Sequence, residues 1–187
     1  AQDPGMIDRR FVLLAPLGLA LSLGACGWFG GGSSSSDTTN VYCPSPLTVQ
    51  DAQRLTHFKD GAGRDPRDVA YEAALIASGT TCELNRNQLN VNLVMRISVS
   101  AGPSAEAAAT RVPYFVRVIN AGGTVVQGQE FIADFRLTSG NPRGTSQEEL
   151  SLALPYSQLS DLAGYRIAVG LKPTQEELNY NRRRVGQ

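Results

Sequence analysis

Apolar and polar residues alternate with period two over much of this chain. Leu89, Val91, Leu93, Met95, Ile97 and Val99 occupy every other position, with Asn90, Asn92, Val94, Arg96, Ser98 and Ser100 between them. Successive side chains on a strand point to opposite faces, so this pattern predicts a long strand with one face buried. Val69, Tyr71, Ala73 and Leu75 alternate in the same way with Ala70, Glu72, Ala74 and Ile76. Phe131, Ala133, Phe135 and Leu137 alternate with Ile132, Asp134 and Arg136. Leu150, Leu152 and Leu154 lead up to Pro155, while Tyr165, Ile167, Val169 and Leu171 lead up to Pro173. The segment Val112–Ile119 is β-branched and aromatic, and it runs through Asn120-Ala121-Gly122-Gly123, a hairpin signal, into the strand region Thr124–Leu137. A short strand near Leu47–Phe58 brings the number to about seven. No helical period lies between the strands, so the expected fold is an all-β, antiparallel β-sandwich. One short C-terminal helix is predicted, because Thr174-Gln175-Glu176-Glu177 forms a capping box and Arg182, Arg183 and Arg184 then sit in the last turn, where cations suit the helix dipole.

Composition narrows the function more than it names it. At 187 residues and 42% apolar, the chain suffices for one domain with a core. Seventeen cations, nearly all Arg, balance seventeen anions. Such a chain has no basic excess of the kind that drives phosphate-backbone binding, which argues against a nucleic-acid partner. A single His, His57, removes most general-base and metal chemistry. No GxSxG, P-loop, GxGxxG or HExxH motif occurs. Glu148 and Glu149 are adjacent on a strand and face opposite ways, so they cannot flank one glycosidic bond. A non-enzymatic role without a cofactor is expected.

The N-terminus reads as an address. Residues 1–5 (AQDPG) precede Met6 and read as a cloning scar or upstream residues. Arg9 and Arg10 form a positive n-region, and Phe11–Leu23 is a thirteen-residue apolar run, shorter than the roughly 20 residues a spanning helix needs. Leu23-Gly24-Ala25-Cys26 resembles the lipobox of bacterial lipoprotein precursors, with Gly24 a less usual residue at its position. The resemblance implies that residues 6–25 are a signal peptide, and that Cys26 becomes the diacylglycerated and acylated (typically palmitate-bearing) first residue. Gly27 in place of Asp after that Cys implies sorting to the outer membrane, facing the periplasm. Arg9-Arg10-Phe11 also resembles a twin-arginine signal, and both export routes stay open. Residues 26–40 carry the lipidated Cys and a Gly/Ser-rich segment, expected to be a flexible tether with a reach of about 20 Å. The sandwich domain is placed at residues 41–187.

With Cys26 taken by lipid, Cys43 and Cys82 are the remaining thiols in an oxidising compartment, and a disulfide between them is expected. Asp60, Asp65 and Asp68 lie in KDGAGRDPRD and are weak candidates for Ca²⁺, although the spacing matches no EF-hand and suits Asx-turns better. The run Leu162–Val169 resembles the start of the strand in fibronectin III-like and Ig-like domains that carries a tyrosine corner, which implies that the Tyr165 hydroxyl bonds back to the preceding loop. Leu55–Ala73 and Tyr165–Arg182 resemble uncharacterised proteobacterial cell-envelope lipoproteins, a likeness that implies location and no chemistry. The expected function is therefore a lipid-anchored binding or structural accessory of the cell envelope with a protein partner. Its alternative is a carrier or sensor of a small apolar ligand, such as a lipid, held between the sheets. Arg182, Arg183 and Arg184 are the candidate partner contacts, for carboxylates or phosphates.

Overall fold

Two four-stranded sheets pack face to face in this computed structural model, which describes residues 42–185 apart from 62, 107 and 108. The expected signal peptide, the expected lipidation site Cys26 and the expected tether fall on residues outside those described. The strands are β1 (Pro46–Thr48), β2 (Arg54–Phe58), β3 (Val69–Leu84), β4 (Gln88–Ala101), β5 (Ala109–Ile119), β6 (Val125–Arg136), β7 (Arg143–Pro155) and β8 (Arg166–Leu171). A single turn of helix, α1 (Leu159–Leu162), joins β7 to β8, and α2 (Gln175–Val185) follows β8. Sheet one runs β1-β8-β5-β6 and sheet two runs β2-β3-β4-β7. Every pairing is antiparallel except β1 with β8, which is parallel. The chain is thus the all-β sandwich with a short C-terminal helix that the alternation predicts. No helix among the described residues is long and apolar enough to cross a membrane.

Alternation puts the core where period two places it. Leu89, Val91, Leu93, Met95, Ile97 and Val99 of β4 are all buried, and between the sheets they meet Val112, Tyr114, Val116 and Val118 of β5 and Ile167, Val169 and Leu171 of β8. Each fully buried Leu, Ile or Val contributes on the order of 1.5–3 kcal/mol relative to exposure. The hairpin signal also holds. Gly123 turns at φ 79°, a left-handed conformation that costs Gly little, and the Asn120 carboxamide oxygen accepts from the Thr124 amide. Tyr165 donates its hydroxyl to the Pro155 carbonyl at 2.9 Å, the bond a tyrosine corner makes.

Two features differ from the pattern. The span Leu47–Phe58 holds two strands in different sheets, so there are eight strands in place of about seven. The chain changes sheet through a 3₁₀ turn at Gln50–Ala52, whose Ala52 is buried. Strand β3 also continues past Ile76 to Leu84, because a bulge between Leu75 and Ala77 adds one residue. That extra residue, Ile76, is exposed, and beyond it the even-numbered positions turn inward. Thr80 and Cys82 therefore face the segment before β1. There Cys43 and Cys82 form a disulfide with Cα atoms 5.6 Å apart, and the Thr80 hydroxyl donates to the Pro44 carbonyl.

Candidate functional site

Helix α2 lies against β2, the outermost strand of sheet two, where an open sheet edge would expose unpaired backbone groups. The Asn181 side-chain amide donates to the Arg54 carbonyl of that strand at 2.9 Å, and its oxygen accepts from the Thr56 hydroxyl at 3.3 Å. Tyr180 packs edge-on against Phe58, with ring centroids 4.9 Å apart. The capping box forms as the sequence predicts: the Thr174 amide donates to Glu177 Oε2 at 2.7 Å, and the Glu177 amide donates to the Thr174 hydroxyl at 3.3 Å.

Glu177 has a second role that the sequence does not reveal. It is 5% exposed, and its Oε1 lies 2.7 Å from His57 Nδ1 on β2. Burial alone would raise the Glu177 pKa, but the bonds from His57 and the Thr174 amide outweigh it and hold the carboxyl below its ordinary range. The bond to Glu177 raises the His57 pKa against the opposing effect of desolvation. His57 also stacks on Tyr71 at 4.8 Å. Through this contact Glu177 ties the first turn of α2 to β2.

With α2 fixed there, a groove of about 1010 Å³ opens on the outer face of sheet two. Strand register arranges its floor in two rows, Arg54–Ala74–Ser98–Thr145 and Thr56–Glu72–Ser100–Arg143. The middle of the floor is small and hydroxyl-bearing, with Arg54 and Arg143 on the outermost strands. Asn181, Arg182 and Arg184 of α2, with Asp51 of the 3₁₀ turn, form the wall. Arg182 donates through Nε and Nη2 to Asp51 at 2.9 and 2.6 Å, and Arg184 donates to Glu72 at 2.9 Å. Arg54 and Arg143 make no ion pair among the described residues, which leaves the groove two cations in excess. No aromatic ring among the described residues lines it.

The structure places the loop carboxylates Asp60, Asp65 and Asp68 apart from this groove. Asp65 accepts from the Arg67 amide at 2.9 Å in an Asx-turn and pairs with the Arg67 guanidinium, which holds its carboxyl below the usual range. The Asp68 carbonyl accepts from the Lys59 amide, and Asp60 lies in the same connection between β2 and β3. No group of three His, Cys, Asp or Glu side chains gathers for a metal among the described residues. Arg64 reaches Glu176 of α2. Of the three terminal arginines, Arg182 and Arg184 pair back onto the sandwich, so the helix packs on it. Arg183 is exposed and without a partner among the described residues. Glu148 turns inward and accepts from the Tyr114 hydroxyl at 3.0 Å, while Glu149 faces outward and accepts from Gln147. Sequence reasoning missed Arg54, Arg143 and the contact of Glu177 with His57. Alternation sets Arg54 on the opposite face from Leu55, yet only strand register reveals that it shares a groove with Arg143. Comparison with known protein families and with curated proteins found no match for this chain.

Proposed function

We propose that this protein is a lipid-anchored accessory of the bacterial cell envelope, held by Cys26 in the outer membrane and facing the periplasm, and that its sandwich serves as a binding module. The groove on sheet two carries the reading, since Arg54 and Arg143 stand unneutralised over a polar floor of Ser98, Ser100 and Thr145. Charged side chains left without partners on one framed face recognise a complementary surface better than they stabilise the fold. The address rests on the lipobox Leu23-Gly24-Ala25-Cys26. The Cys43–Cys82 disulfide supports an oxidising compartment. Binding is preferred to catalysis because the groove brings together arginines and hydroxyls without a base beside a nucleophile. It is preferred to carriage of an apolar ligand because side chains of β4, β5 and β8 occupy the space between the sheets.

Crosslinking in intact cells tests the reading. The wild-type lipoprotein should capture a partner that Arg54→Glu combined with Arg143→Glu loses, while Cys26→Ser releases the protein from the membrane fraction. Capture that is indifferent to both arginines would contradict the proposed module.

A further inference from the structure

We infer that the groove receives an extended peptide segment of a partner protein bearing two carboxylates four residues apart, with uncharged residues between them. The inference rests on the binding-module reading and specifies its ligand. Arg54 and Arg143 stand on the first and last strands of a four-stranded sheet and two residues apart along it. Three strand spacings of about 4.8 Å and two residue rises of about 3.4 Å put their Cα atoms roughly 16 Å apart. In an extended peptide, residues i and i+4 point to the same side about 13–14 Å apart. The long, flexible arginine side chains can span that difference of about 2–3 Å, and each guanidinium can take a carboxylate bidentately.

The groove also says what belongs between those carboxylates. Glu72 lies mid-row, and Asp51 is in the wall; each is already paired, with Arg184 and Arg182 respectively. A central acidic residue on the peptide would meet Glu72 and be repelled, whereas Ser98, Ser100 and Thr145 offer hydroxyls to peptide amides. Other anionic ligands fit less well. Single-stranded nucleic acid binds on aromatic stacking platforms, and no aromatic residue among the described residues lines the groove. A lipid surface needs an apolar strip beside the cations; among the described residues sheet two offers the single exposed Ile76, whereas Leu47, Val125, Val126 and Ile132 belong to sheet one.

Fluorescence anisotropy of the full-length protein tests this with three labelled peptides, Glu-Ser-Gly-Ser-Glu, Glu-Glu-Ser-Gly-Ser and Gln-Ser-Gly-Ser-Gln. The first should bind about tenfold or more tightly than the others, the scale of one lost charged hydrogen-bond pair. Arg54→Gln and Arg143→Gln should each weaken it by about tenfold with the melting temperature unchanged. Arg136→Gln, on the other sheet, should have no effect. Equal binding of the spaced and adjacent peptides, or indifference to both groove arginines, would overturn the inference. So would tighter binding through the same arginines to phosphatidylglycerol vesicles or to a single-stranded oligonucleotide. If none of the peptides binds while cellular crosslinks still depend on Arg54 and Arg143, the ligand class falls and the binding module stands. Crosslinks indifferent to both arginines would bring down the module itself.

Discussion

At the scale of single residues, His57 and Glu177 make stability depend on pH in a defined direction. The folded His57 pKa is raised above 6.5, so its contribution is present below the unfolded value and is lost as pH rises through the folded one. The folded Glu177 pKa is lowered below 4.5, so its contribution is present above that value and is lost as pH falls through the folded one. Together they stabilise the fold most between about pH 4.5 and 6.5. Calorimetry of the wild type against His57→Gln should give a difference in melting temperature that peaks in that window and shrinks on both sides; a flat difference would exclude the pair as its source. Glu177→Ala should cost about 2 kcal/mol in denaturant titrations, because it orphans both the Thr174 amide and His57. The capping half of this arrangement was legible in Thr174-Gln175-Glu176-Glu177. The other half was not, because 120 residues separate His57 from Glu177 and only tertiary docking joins them.

At the scale of elements, α2 is held mainly by its first two turns. Truncation after Asn181 removes the Arg182–Asp51 and Arg184–Glu72 pairs, both solvent-exposed. Exposed pairs contribute at most about 1 kcal/mol each, so the loss should stay within about 2 kcal/mol. Circular dichroism melts should show a small shift for this truncation and a larger one for Glu177→Ala; the reverse order would mean that the terminal arginines anchor the helix. Strand β4 was readable from sequence because both strands beside it and the opposite sheet leave one face dry. The second half of β3 was not. Beyond the bulge at Ile76 its inward positions are Ser78, Thr80 and Cys82, which face the segment carrying Cys43 and Pro44, and so show no apolar alternation. The division of Leu47–Phe58 into β1 and β2 was hidden for a related reason, since three residues of 3₁₀ turn carry the chain between sheets without a Gly or Pro to mark the change. Nothing in the sequence pattern singles out Arg54 or Arg143, and strand register alone brings them to one groove.

At the scale of the whole molecule, the disulfide and the proposed lipid anchor belong to one account of where the protein works. Closing a loop across the 39-residue separation of Cys43 and Cys82 should stabilise the fold by about 3–4 kcal/mol on the chain-entropy view. Cys82→Ser, or reduction of the wild type, should lower the denaturation midpoint accordingly. Free-thiol labelling of the unreduced, unfolded domain should find neither cysteine reactive. On the proposed reading, the compartment that would oxidise this pair is the one to which the lipobox-like Leu23-Gly24-Ala25-Cys26 would direct the chain, and the arginine groove would face the partners available there. Mass spectrometry of the N-terminus of protein extracted from its native membrane tests this account most directly. It predicts a mature chain beginning at Cys26 and carrying the mass of a diacylglyceryl group with an added acyl chain; an N-terminus elsewhere, or a Cys26 without acyl mass, would contradict it.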